Sequence, residues 1–247
     1  MRKRLLSILL TICMVFSLMP QMAMAEDYTY AGDVTETGLD LTTAPDYNAR
    51  YDAGEYGTIF WQPGTNTLTL SDANINVTSG SAYAITLKNN AEVTIVVEGN
   101  DNVLKSSTCG IGQESWDPGP NNDNPWPYPN TTITGSGTLE VTTTSTDINQ
   151  GAIDLGYGNL TISDSVTVNP ISGVGSMSIC LENNGNLSIL DNASVTVPSK
   201  MEIYVATGEI TIDTHGTITE CDMYPKDFNY SKGNLNAWVN RVNSSGS

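Results

Sequence analysis

Short runs of alternating apolar and polar residues recur along most of this chain. Thr67-Leu68-Thr69-Leu70, Thr132-Ile133-Thr134, Leu160-Thr161-Ile162, Leu187-Ser188-Ile189 and Ile210-Thr211-Ile212 share one period-2 pattern. That pattern predicts strands with one buried face. Each run is followed by a small polar turn and a second alternating run, such as Ile75-Asn76-Val77, Leu139-Glu140-Val141 and Val195-Thr196-Val197. A third run completes the unit: Ala84 to Leu87, Cys109 to Ile111, Ala152 to Leu155, Ser178 to Leu181 and Glu202 to Val205.

The isoleucines of the third runs set the period. Ile85 and Ile111 are 26 residues apart, as are Ile153 and Ile179, and Ile203 follows 24 residues later. The step from Ile111 to Ile153 is 42. The excess matches a Pro-, Asn- and Trp-rich stretch, residues 113–130, which reads as one loop inserted between two repeats. A repeat of about 25 residues with three strands and no helical spacing predicts an all-β, right-handed parallel β-helix of about five to six rungs. Rungs stack at about 4.8 Å, so six would make a rod of roughly 29 Å. An antiparallel sandwich is the competing fold, and the constant isoleucine column argues against it.

Both ends of such a rod need covering, because open strand edges pair with other chains. The expected layout is an N-terminal cap over 26–62, the β-helix over 63–220, and a C-terminal cap and tail over 221–247. Before them, Arg2, Lys3 and Arg4, the apolar stretch Leu5 to Leu18, and Ala23-Met24-Ala25 have the layout of a secretory signal peptide, residues 1–25. The apolar stretch is too short for a membrane anchor, so a secreted protein without membrane insertion is expected. The tail from Asn243 to Ser247 carries no wall-sorting signal, which points to release or loose attachment.

Charge narrows the partners. The formal net charge of −17 becomes −20 once the three basic residues of the signal are removed. Nucleic-acid binding needs a basic stripe that displaces counterions, so nucleic acid is excluded as a partner. An acidic surface suits cations, neutral glycans or basic partners. Three cysteines, Cys109, Cys180 and Cys221, remain after maturation. The odd count excludes a fully paired framework but allows one pair with one free thiol. Parity places Cys109 inward and Cys180 outward, two rungs apart, beyond bridging reach.

Asp72, Asp164, Asp191 and Asp213 recur at the turn after the first strand. Such a column reads either as a stack of Ca2+ ligands, which need several oxygens at about 2.3–2.6 Å, or as corner residues that bond nearby backbone N–H groups. Outward residues Thr86, Asp154, Cys180 and Tyr204, with Glu182 and Glu202 beside them, outline either a shallow groove or an ordinary solvated face. The most distinctive local chemistry is the inserted loop. Its Trp116, Trp126 and Tyr128, on a proline-stiffened segment rich in Asn and Asp, could stack on sugar rings or fold back over the rod. Catalysis has little support: His215 is the only histidine, and there is no nucleophile elbow, zinc spacing or phosphate loop. Sequons such as Asn130-Thr131-Thr132 and Asn186-Leu187-Ser188 are what an Asn- and Thr-rich chain generates by chance.

The runs Asn66-Thr67-Leu68-Thr69-Leu70, Cys109-Gly110-Ile111-Gly112, Thr134-Gly135-Ser136-Gly137-Thr138-Leu139 and Gly158-Asn159-Leu160-Thr161-Ile162 carry a resemblance. Over about residues 57–220 the chain resembles the secreted parallel β-helix proteins of Gram-positive bacteria, a carbohydrate-binding-domain-containing group related in fold to pectate lyases. The resemblance implies an extracellular, non-catalytic module that binds polysaccharide or a cell-surface glycan, with Ca2+ bound in some relatives. It rests on repeat-consensus residues and carries over no ligand. Two alternatives stand beside it: a calcium-dependent polysaccharide lyase, and a structural or adhesive surface protein.

Overall fold

The computed structural model describes residues 27–78, 80, 82–88, 91–113, 130–156, 158–182 and 185–239. The signal segment, the loop residues Trp116, Trp126 and Tyr128, and the tail beyond 239 lie outside the described residues. Those that are described form an all-β molecule with no helix.

Four strands come first: β1 (Thr29–Asp33), β2 (Leu39–Asp40), β3 (Ala49–Asp52) and β4 (Thr58–Gln62). Triplets follow. They are β5 (Thr67–Ser71), β6 (Asn74–Val77) and β7 (Ile85–Leu87), then β8 (Val93–Glu98), β9 (Asn102–Ser106) and β10 (Ile111–Gln113). Next come β11 (Thr131–Gly135), β12 (Thr138–Thr143) and β13 (Gly151–Leu155), then β14 (Leu160–Ile162), β15 (Thr167–Ile171) and β16 (Met177–Leu181). Last among the described residues come β17 (Leu187–Asp191) and β18 (Ser194–Val239), a segment that supplies several successive strand stretches.

Each strand of a triplet pairs in parallel with its counterpart three places on, so β5 joins β8, β8 joins β11, β11 joins β14 and β14 joins β17. The β6–β9–β12–β15 and β7–β10–β13–β16 series do the same. Segment β18 completes all three series, pairing in turn with β15, β16 and β17. This largely parallel arrangement does not close into a barrel and is consistent with a solenoid. Antiparallel pairing is confined to β3–β4 and β4–β5, where short connections reverse the chain.

Register turns the sequence period into buried columns. Ile85, Ile111, Ile153, Ile179 and Ile203 lie in one row, each with no solvent exposure. Ile95, Ile133, Ile162, Ile189 and Ile212 form a second row. Burying such a side chain is worth about 1.5–3 kcal/mol, and every added strand covers the row before it. At the N-terminal end Leu39 stacks on Ile85, and Trp61 is fully buried with its indole N–H donating to the Pro45 carbonyl (3.1 Å). Lys88 sits over the Trp61 ring, 4.9 Å from its centre. At the other end Met223 is buried, and Phe228 and Leu235 pack against the core.

Two kinds of corner residue hold the turns. Asp72, Asp164 and Asp191 have φ of 49°, 60° and 60°. That left-handed region suits Asp because its short side chain bonds locally. Asp72 accepts from the N–H groups of Asn100 and Asp101, Asp191 from that of Asp164, and Asp164 from the Thr134 hydroxyl. Asp213 accepts from the Ser231 hydroxyl and pairs with Lys232 at 3.4 Å. The column thus acts at the turns, and among the described residues no group of three or more acidic, Cys or His side chains could hold a metal ion.

The second kind is a glycine stack. A Cβ on Gly185 would strike the Gly158 carbonyl oxygen, and one on Gly208 would strike that of Gly185. Gly208→Ala is therefore expected to lower the unfolding free energy by about 1–3 kcal/mol. A denaturant titration that leaves its midpoint unmoved would show that the corner can open to make room.

Candidate functional site

The glycine stack lies beside a groove of about 360 Å3 along the first strand series. Such a volume falls at the small end of ligand clefts. Two outward rows line it. One holds the residue that precedes each strand: Glu92, Asn130, Asn159 and Asn186, continued by Glu209. The other, two residues on and on the same side of the pleat, holds Thr94, Thr132, Thr161 and Ser188.

The first row is a hydrogen-bonded ladder. The Asn130 amide donates to the Glu92 carboxylate (3.1 Å), that of Asn159 to the Asn130 side-chain oxygen (2.8 Å), and that of Asn186 to the Asn159 oxygen (3.0 Å). The backbone N–H of Asn186 also donates to the Asn159 oxygen (2.9 Å), and that of Glu209 to the Asn186 oxygen (2.8 Å). Each Asn spends one of its two amide hydrogens within the ladder, which fixes its plane and leaves the second outside the ladder. The hydroxyls of Thr94, Thr132, Thr161 and Ser188 carry no hydrogen bond among the described residues. The groove thus presents two rigid lines of polar groups repeating at about 4.8 Å.

The sequence signal for this site is the repeated Asn-x-Thr/Ser-Ile at Asn130, Asn159 and Asn186. The same spacing makes sequons, because period 2 puts Asn and the hydroxyl residue on one face. The inserted loop ends at Asn130, so it joins the chain at the groove's edge. Its residues Trp116, Trp126 and Tyr128 lie outside the described set.

The outward row of the third series is not the open groove its parity outlined. Thr86 is 8% exposed and Cys180 only 1%. Parity is right, since Asp154 stands in register with Cys180 and Cys180 with Tyr204, but parity says nothing of what covers a face. At the start of β13 the Gly151 N–H donates to the Asp154 carboxylate (3.2 Å), and the charge of Asp147, in the segment before β13, reaches it.

Cys109 also departs from expectation. It is buried, but its Sγ lies 2.9 Å from where a Cβ on Gly112 would sit, and Gly112 is in register with Thr86 and Asp154. The thiol therefore shares the outward row's side rather than the isoleucine column. Alternation does not reach back to it because β10 begins only at Ile111, beyond Gly110. Its Sγ donates to the Ile111 carbonyl (2.9 Å). Cys109 and Cys180 are free thiols, and burial pushes both well above the usual thiol range, with the Asp154 charge adding to the effect. The Cys221 side chain lies outside the described set. Burial raises the Asp154 carboxyl itself to about 7, reinforced by Glu182 and Asp147 and opposed by the Gly151 N–H.

Buried, protonated thiols make poor nucleophiles and poor metal ligands. Exposed His215 follows Thr214 in the last repeat and is not among the groove residues. Among the described residues no helix is long and apolar enough to cross a membrane. Compared with protein-family models, curated proteins and solved structures, the chain matches none.

Proposed function

We propose that this chain is a secreted, non-catalytic extracellular module that binds polysaccharide along the groove of its first strand series. The observation that carries the reading is the pair of ladders. Fixed amide N–H groups and hydroxyls that carry no hydrogen bond among the described residues, repeating at a constant step, match a ligand that itself repeats hydroxyls along an extended chain. A shallow polar cleft open along its length suits a polymer better than a compact metabolite. The aromatic loop that joins at Asn130 adds Trp116, Trp126 and Tyr128 as stacking groups for sugar rings.

The rest of the reading belongs with this proposal. The parallel strand connectivity supports a right-handed parallel β-helix, which we read as five to six rungs, with residues 1–25 read as a signal peptide. The resemblance to secreted Gram-positive β-helix proteins supports the same assignment. A lyase needs a cation or basic side chain to neutralise its substrate's carboxylate, and the groove residues include neither Lys, Arg nor His. Asp154, the carboxyl with the strongest upward shift, sits on the covered third face rather than in the groove.

A glycan array read with calcium and with a chelator tests the proposal. The expected result is binding to extended polysaccharide structures under both conditions, because the groove's donors are amides and hydroxyls. Silence across plant, wall and host glycans, with retention on cells regardless of their sugars, would replace it with an adhesive role. An ultraviolet-absorbing unsaturated product from pectate or alginate would replace it with a lyase.

A further inference from the structure

The ends of the two ladders narrow the class of polysaccharide. The asparagine row begins at Glu92 and ends at Glu209. Glu92 accepts from the Asn130 amide, and Glu209 accepts from Thr211, the residue that follows Ser188 in the hydroxyl row. A carboxylate therefore stands at one end of the groove, and a second lies one strand beyond its last lining residues, Asn186 and Ser188, in a chain whose formal charge is −17.

From Glu92 to Glu209 is four inter-strand steps, about 19 Å at the β spacing, so the middle of the groove is about 10 Å from either carboxylate. That distance is close to the Debye length of about 8 Å at physiological salt. A uronate or sulfate near either end of the groove would meet like charge within the Debye length, and one at its middle would meet a screened remainder from both ends, with no cationic side chain among the described groove residues to offset it. It would also leave acceptor-only oxygens facing acceptor-only carboxylates at the ends. A neutral sugar hydroxyl both donates and accepts. It can take the second amide hydrogens of the asparagines and donate to the threonine oxygens or the terminal carboxylates.

We infer that the groove takes a polysaccharide without acidic groups, a neutral, hydroxyl-rich chain lying along the ladders, and that Glu92 and Glu209 exclude acidic polymers. This rests on the glycan-binding reading and specifies its ligand. Arg50 does not offset the exclusion, since its guanidinium is engaged by Asp52 at 3.0 Å outside the groove.

Affinity electrophoresis of the full chain against soluble β-glucan, xylan and mannan, and against polygalacturonate and alginate, tests it. The expected result is a neutral polymer bound at least about tenfold tighter than either acidic one. Raising salt from about 0.05 to 0.5 M should narrow that ratio. Glu92→Gln/Glu209→Gln keeps the acceptors of the ladder and removes the charge, so it should narrow the ratio at low salt. An acidic polymer bound as tightly as any neutral one, or a ratio unmoved by both salt and the double substitution, would overturn the inference alone. Absence of binding to both sets would remove the glycan-binding reading and the inference with it.

Discussion

Ile153→Asp is expected to abolish folding, and Ile153→Ala to lower the unfolding free energy by about 2–5 kcal/mol. Ile153 is fully buried and lies in register between Ile111 and Ile179, in the middle of a five-membered column. A residue at the end of a stacked array touches one neighbouring strand, whereas one in the middle touches two. Truncation here opens a cavity that the flanking isoleucines cannot fill, because each is fixed by its own pairing. An Asp at the same place would carry an uncompensated charge into an apolar interior, which costs several kcal/mol even after relaxation. Circular dichroism during denaturant titration reads both variants. A loss under about 1 kcal/mol for Ile153→Ala would mean that the column is not the closely packed core described here.

The second large effect is on the dependence of stability on pH. Asp154 keeps its proton up to about pH 7 in the folded chain, against an ordinary value of 3.8. Between those values the folded state holds a proton that the unfolded state has released. Stability therefore falls as pH rises through this window and is level below and above it. Each pH unit in the window is worth up to about 1.4 kcal/mol, so the loss from pH 4 to pH 8 is on the order of 2–4 kcal/mol. Glu182 and Asp147 face Asp154 with like charge, and the neighbouring Cys109 and Cys180 thiols stay protonated throughout. Asp154→Asn keeps an acceptor for the Gly151 N–H and removes the ionisation. The variant should match the wild type near pH 4 and exceed it at pH 8. An equal difference between the two proteins at both pH values would contradict the assignment.

What the sequence made legible follows from what burial constrains. A residue that must face the interior of a repeated coil recurs at the same parity in every repeat, so the spacings from Ile85 to Ile203 already located the column that the pairings contain. Corner aspartates were legible for a similar reason: Asp tolerates the left-handed turn, and its carboxylate finds the next turn's N–H. The third face was misread because alternation reports which side of a strand a residue occupies and not whether an irregular segment covers that side. The stretch between β12 and β13 has no periodicity to announce that it brings the Asp147 charge to Asp154. Cys109 was misplaced because parity was carried back past Gly110, where the strand has not begun. The groove was missed although its signal was present. Asn130, Asn159 and Asn186 recur at spacings of 29 and 27 residues, each two positions before a hydroxyl residue. Read singly, each is a sequon; read as a column, they are one face of a cleft.

The claim on which the account depends is that a polysaccharide lies against the Thr132 and Thr161 hydroxyls. Thr132→Val/Thr161→Val removes both groups with little change of volume and keeps β-branched residues in the strands. Calorimetric titration of wild type and variant with the neutral β-glucan, xylan or mannan that the wild type binds is the direct measurement. The predicted result is an affinity reduced by about tenfold or more in the variant. Equal affinity in the two proteins would place the ligand elsewhere and contradict the account.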